Sequence, residues 1–169
     1  GRLQRSAEDG RIVGLRACIA DFGRTVPLPP AGRSARVTEP RQPLRDQPPE
    51  VLGDQIFTAR SDTFSFGVLM WCLANGTQPW PELSHQDAAR AHYDGRRLPG
   101  LRGSLLGDRG LQRIREACWA QQEAGRPSML EVQQRLEQRL RSLRESGAQP
   151  EEGTDSEGGG EIRDGDGLH

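Results

Sequence analysis

The longest apolar stretch of the chain lies near its middle. Ser61 to Ala74 (SDTFSFGVLMWCLA) carries Phe64, Phe66, Val68, Leu69, Met70, Trp71, Cys72 and Leu73 with hardly a polar face. A helix apolar all round belongs in a core, and this one is too short to cross a bilayer. It is therefore expected to be a central helix buried on every side, stopped by Asn75-Gly76. Ser84 is placed to cap a second helix running to Tyr93 and ended by Gly95. From Gly110 to Ala120, Leu111, Ile114 and Cys118 fall on one stripe. The last helix starts at Ser128, where Glu131 three residues on completes a capping box. Its apolar positions Met129, Val132, Leu136, Leu140 and Leu143 keep near-heptad spacing, which fits a coiled coil, but two heptads more often pack on their own domain, and that is expected here. Arg11 to Ala20 (RIVGLRACIA) follows the turn signal Asp9-Gly10 and reads as the second strand of a hairpin.

Two stretches break this pattern. Pro27 to Pro49 holds seven prolines with Arg33, Arg36, Arg41 and Arg45 among them, so it reads as loop. A loop of that length inside a compact domain is usually functional or mobile. From Ser146 to the end, seven acids face a single arginine among many glycines, and the segment is expected to be a disordered acidic tail.

The whole chain has 169 residues, the size of one domain, with 33% hydrophobic and 28% charged residues. All 23 basic residues are arginine, and the only asparagine is Asn75. Chemistry that needs a lysine ammonium is thereby excluded from this chain. Cys18, Cys72 and Cys118 are an odd count at no metal-like spacing. Their apolar neighbours suggest buried thiols in a reducing compartment. No apolar run reaches the length of a membrane span and no signal peptide opens the chain, so an intracellular, cytoplasmic protein without a membrane segment is expected.

Asp21-Phe22-Gly23 follows the predicted strand directly, and a carboxylate at a strand end can reach a divalent cation held on phosphates. Then come Pro48-Pro49-Glu50, the run Ser61-Asp62-Thr63-Phe64-Ser65-Phe66-Gly67-Val68-Leu69, Cys118-Trp119 and Gly125-Arg126-Pro127-Ser128. In that order and spacing the chain resembles the C-terminal lobe of a protein kinase of the tyrosine or tyrosine-kinase-like branch, over residues 10 to 140. The resemblance implies a mainly α, kinase-like C-lobe helical bundle (residues 1–145) with a small N-terminal β-hairpin remnant and no N-lobe.

The resemblance also implies roles. Asp21 is the Mg²⁺-binding carboxylate, and Phe22 is a packing residue beside Gly23. Residues 21 to 50 are the activation segment. Glu50 pairs with Arg126 as a structural fork. Asp62 holds the catalytic loop's amides, although the residues alone read it as an acid stabilised by a helix N-terminus. Trp119 is a core residue. Thr25, Ser34 and Thr38 are candidate phosphosites with arginines near them.

The chain departs from the family's catalytic inventory. It has no lysine for the α- and β-phosphates, no H-R-D-x-x-x-x-N upstream of Asp21, and no glycine-rich phosphate loop. Mg²⁺ and ATP are thus expected only for a full-length parent that phosphorylates protein Ser, Thr or Tyr. This chain alone is expected to be inactive and to hold neither. The alternative is a pseudokinase or truncated isoform that acts as a protein-interaction scaffold. Protein substrates or protein partners are expected. Nucleic acid is not, because the basic loop lacks interleaved aromatic residues.

Overall fold

The computed structural model describes residues 2–5, 12–30, 32–39, 41–98 and 108–146. The expected turn at Asp9-Gly10 and the acidic tail from residue 147 onward lie outside them.

The chain is mainly helical, with two small antiparallel sheets. Strand β1 (Arg2–Arg5) pairs with β2 (Ile12–Arg16) in a hairpin whose register sets Leu3 opposite Leu15. The strand expected over Arg11 to Ala20 is thus shorter, since residues 17–20 leave the ladder. A single 3₁₀ turn follows at Phe22–Arg24. The Pro/Arg stretch, expected to be loop throughout, contains strand β3 (Ser34–Arg36), paired with β4 (Ile56–Thr58) with Ala35 opposite Phe57. The reason is local. No proline falls between Pro30 and Pro40, so this piece keeps every amide a ladder needs.

Helix α1 (Pro49–Asp54) opens with proline in its first turn, where a missing N–H costs nothing. Helix α2 (Ala59–Asn75) is nucleated by a capping box. The Thr58 hydroxyl accepts from the Ser61 amide at 3.2 Å, and Ser61 Oγ accepts from the Thr58 amide at 3.1 Å. Gly76 ends α2 in the left-handed conformation with φ 62°. Helices α3 (His85–Tyr93), α4 (Arg109–Cys118) and α5 (Met129–Glu145) are capped by Ser84, Asp108 and Ser128, each accepting a hydrogen bond from an amide in the first turn.

Two apolar clusters meet on α2. One joins Phe64, Val68 and Trp71 to Trp80, Ala88, Ala91, Leu98 and Trp119. The other joins Ile114, Cys118 and Val132, with Phe66, Met70 and Leu136 against them. Helix α2 is nevertheless not buried on every side, contrary to expectation. Leu69 is 49% exposed and Leu73 77%, because no described element lies over that flank. Apolar composition shows that a face needs cover; it does not say which element supplies it. The cysteines also divide. Cys118 is buried and Cys72 half-buried, while Cys18 is exposed, since it follows β2 in an irregular stretch outside both clusters. No helix among the described residues is long and apolar enough to cross a membrane.

Candidate functional site

The strongest polar constellation lies where α1, the start of α2 and the segment before α5 converge. Arg126 follows a single 3₁₀ turn at Glu123–Gly125 and is 1% exposed. Its Nη1 donates to Glu50 Oε1 at 2.7 Å, and its Nη2 donates to Glu50 Oε2 at 2.9 Å. Nη1 also donates to the Arg60 carbonyl at 3.2 Å, Nη2 to Gln121 O at 3.3 Å and Nε to Ala120 O at 2.8 Å. The guanidinium has five N–H donors, and this site engages all of them. Its plane lies over Phe64, 4.9 Å from the ring centroid. Ser61 Oγ adds a 3.0 Å donation to Glu50 Oε1, so the residue that completes the capping box of α2 also orients the carboxylate. A buried guanidinium so fully paired is a fixed strut that ties the end of the Pro/Arg stretch to the far end of the bundle.

Asp21 stands on the other side of that stretch. It is exposed and takes left-handed backbone angles, φ 61° and ψ 71°. Asn and Asp enter this region far more readily than branched residues do. The turn that follows leaves Phe22 66% exposed. The 3₁₀ turn holding it contains no buried residue, so Phe22, expected to pack, has no cover among the described residues. Gly23 is part of the same turn, and an added Cβ would meet only Asp21 Oδ1, at an ordinary 3.4 Å.

A cleft of about 140 Å³ opens between Arg24, Arg41, Asp46, Phe57 and Asp62. Asp62 sits in the first turn of α2, and desolvation on the cleft wall raises its carboxyl above the ordinary carboxylate value. At the rim, Arg24 Nη2 donates to the Gln42 carbonyl at 2.8 Å and Arg41 Nη1 to the Arg24 carbonyl at 2.9 Å. Thr25, Ser34 and Thr38 are all exposed. Trp119 is buried in the larger cluster at 5% exposure, with the Arg115 guanidinium 4.7 Å from its ring. The structure therefore brings Glu50, Arg126 and the base of α2 together, and it leaves Asp21 and Phe22 apart from them.

Two polar residues escape a reading of the sequence. Arg45, one arginine among many in the Pro/Arg stretch, reaches three main-chain carbonyls across the fold. His92, on a helix whose apolar stripe is alanine, is buried against Phe64 and Trp80. Nothing in the spacing around either residue marks it.

Comparison with known proteins places these features. The family model described as protein tyrosine and serine/threonine kinase matches residues 13–136. Ephrin type-A receptor 1 of Mus musculus is 35% identical over 123 residues, covering 72% of this chain and 12% of the receptor. Ephrin type-A receptor 8 of Rattus norvegicus is 34% identical over 131 residues, covering 76% of this chain and 34% of that protein. The megakaryocyte-associated tyrosine-protein kinase of Mus musculus is 31% identical over 156 residues, covering 88% of this chain and 28% of the kinase. The chain thus spans at most about a third of these relatives. Motif order, helical architecture and a family match over most of its length agree, and the chain belongs to the protein tyrosine and serine/threonine kinase family.

Proposed function

We propose that this chain is the C-lobe portion of a protein kinase domain, with residues 21–50 as its activation segment and residues 1–145 as the domain piece. The parent transfers the ATP γ-phosphoryl group to a Ser, Thr or Tyr hydroxyl of a protein in the cytoplasm. The observation that carries this reading is the buried Glu50–Arg126 fork, which anchors the end of that segment under α2. In this reading Asp62 is the acid that steadies a catalytic loop, and Thr25, Ser34 and Thr38 are the acceptors for phosphorylation.

By itself the chain does not catalyse. Mg²⁺–ATP needs at least a lysine on the phosphates, a second metal ligand and a base for the substrate hydroxyl. Among its residues only Asp21 matches that donor set, and it stands exposed. No group of three His, Cys, Asp or Glu side chains converges among the described residues. The donor set does not fit the nucleotide, so both cofactors are assigned to the parent. Thermal unfolding with and without Mg²⁺–ATP tests this. A ligand at a hundred times its Kd adds about 2.7 kcal/mol, whereas this chain is expected to show no shift. A clear shift overturns the inactive reading.

A second reading, an interaction scaffold made as a pseudokinase or a truncated isoform, is favoured by the exposed Leu69 and Leu73 on α2. The transcript upstream of Gly1 decides between them. A continuous frame with a glycine-rich loop, a strand lysine and H-R-D supports the kinase, and a start codon close by supports the scaffold.

A further inference from the structure

Charge is divided sharply at the end of α5. From residue 151 onward seven acids stand against Arg163 alone, and four of them fall between Glu151 and Glu157. Just before them the sign is opposite. Between Arg135 and Glu145, α5 has four arginines against two glutamates. Arg109 and Arg113 add to this surface from α4, which packs closely on α5: a Cβ on Gly110 would lie 2.8 Å from Arg139 Cδ.

Most of these arginines have no acid of their own. Arg139 is held by Asp108. Arg109, Arg113, Arg135, Arg141 and Arg144 are exposed, and among the described residues none of them forms a salt bridge. The carboxylates on the same helices are engaged elsewhere. Glu116 accepts from Gln112 at 3.0 Å, Glu131 from the Ser128 amide at 2.7 Å and Glu137 from Gln133 at 2.9 Å. By contrast, Arg24 and Arg41 of the Pro/Arg stretch spend their guanidiniums on main-chain carbonyls.

The two blocks of charge are within reach of each other. An α-helix rises about 1.5 Å per residue, so Arg135 lies about 15 Å back from the end of α5 at Glu145. Glu151 follows Glu145 by a stretch that spans about 20 Å when extended. Exposed ion pairs are individually weak, and salt screens them beyond about 8 Å. A short tether offsets that weakness, because it holds the acids near the arginines at an effective concentration of order millimolar.

We propose that the acidic segment from Glu151 to Glu157 docks, within the same chain, on the arginines of the second half of α5 and of the exposed side of α4. The contact is an exchanging set of carboxylate–guanidinium pairs rather than one fixed fork. While docked, the segment covers the surface that an acidic peptide of another protein would use, so such a partner binds only by displacing it.

Proton–nitrogen NMR spectra of the full chain test the docking against a variant with the tail charge removed, Glu151→Gln/Glu152→Gln/Asp155→Asn/Glu157→Gln. At about 20 mM salt, the amides of residues 135–145 and the Nε–H signals of Arg109, Arg113, Arg135, Arg141 and Arg144 are expected to differ between the two proteins. At about 500 mM salt the differences should vanish. The amides of Phe64 and Val68, both in the core, report an unchanged fold. The reciprocal variant Arg135→Gln/Arg141→Gln/Arg144→Gln is expected to remove most of the salt response of amides 151–157, whereas Arg33→Gln/Arg36→Gln leaves it in place. If the triple arginine variant disturbs the core signals, the comparison with the neutralised tail decides. Identical spectra at low salt overturn the docking, and so do differences centred on residues 33–36. Differences that grow with protein concentration also overturn it, since they assign the contact to a second copy. Neither catalysis nor nucleotide enters the measurement, so its failure leaves the kinase reading untouched.

Discussion

Gly67 of α2 and Cys118 of α4 meet with no room for a methyl group between them. A Cβ on Gly67 would lie 2.8 Å from Cys118 Cβ and 3.3 Å from the Arg115 carbonyl. In an exposed helix interior, replacing glycine by alanine stabilises by about 1 kcal/mol. Here the sign reverses, because α4 must move away, and overpacking of this kind costs about 1–3 kcal/mol. Gly67→Ala is expected to lower the urea midpoint, with a net loss of up to about 2 kcal/mol. A variant as stable as the parent chain shows that α2 and α4 are not this close.

The Glu50–Arg126 fork should be among the costliest contacts to break. Removing one partner of a buried ion pair leaves a charge without compensation and typically costs about 3–5 kcal/mol. That is a large share of the total stability of a domain. Glu50→Ala is therefore expected to unfold at far lower denaturant. The double variant Glu50→Leu/Arg126→Met should recover part of the loss, since it strands no charge. Chemical denaturation of the parent, Glu50→Leu, Arg126→Met and the double variant reads the coupling directly, and independent, additive losses contradict it.

How much of this was legible beforehand depended on the kind of signal. Caps and stripes are local, so Ser84, Ser128 with Glu131, and Gly76 could be read from a few neighbouring residues, and α3 and α5 begin where those caps place them. The Glu50–Arg126 contact is separated by 76 residues and became readable only through the order of motifs. Arg45 had no such aid. Its partners are main-chain carbonyls, which every sequence offers everywhere. Burial of α2 was overstated for a related reason. Leu73 is as apolar as Val68, but what covers a residue is a property of other elements, and α4 and α5 pack on only part of the helix. Cys18 misled in the same way, since apolar neighbours along the chain are not a core.

Asp108 does two jobs at the start of α4. It caps the helix, accepting from the Leu111 amide at 2.8 Å, and it holds Arg139 of α5, whose Nε lies 2.9 Å from Oδ1. The hydrogen bond from Arg139, more than any other contact, holds its carboxyl below the usual value of 3.8. A lowered folded value means that this stabilisation is present above the unfolded value and is lost as pH falls through the folded one. Asp108→Asn keeps a capping oxygen and loses the charge, while Asp108→Ala loses both. The expected costs are under about 1 kcal/mol for asparagine and about 1–2 kcal/mol more for alanine. Equal losses in the two variants rule out the double role.

Thiol reactivity should follow the three environments. Cys18 is exposed, Cys72 half-buried and Cys118 buried. Burial pushes the Cys118 thiol up to about 11, and burial, with Asp46 adding to it, also raises Cys72. Since the thiolate is the nucleophile, iodoacetamide at neutral pH should modify Cys18 first and Cys118 only after unfolding. Peptide mapping after timed alkylation measures the order. Early labelling of Cys118 means that α2 and α4 do not close over it.

His92 should make the fold sensitive to mild acid. Its ring is enclosed by Phe64, Trp80 and the Arg45 main chain, and its Nε2 has no partner. Desolvation lowers it from 6.5 to about 4, the bond to Arg45 opposes that shift, and the Arg97 charge adds to it. The unfolded chain therefore binds a proton between these two values while the folded chain refuses it. Stability is complete above the unfolded value and falls as pH drops from about 6.5 toward 4, by roughly 3 kcal/mol over the whole window. Ordinary carboxyls titrate near the lower end of that range, so between pH 7 and 5 the loss belongs mainly to the histidine. His92→Phe is expected to start from a lower stability and to stay flat between pH 7 and 5 while the parent chain declines. Denaturant unfolding at closely spaced pH values measures both slopes, and a parallel decline in the variant moves the titrating group elsewhere.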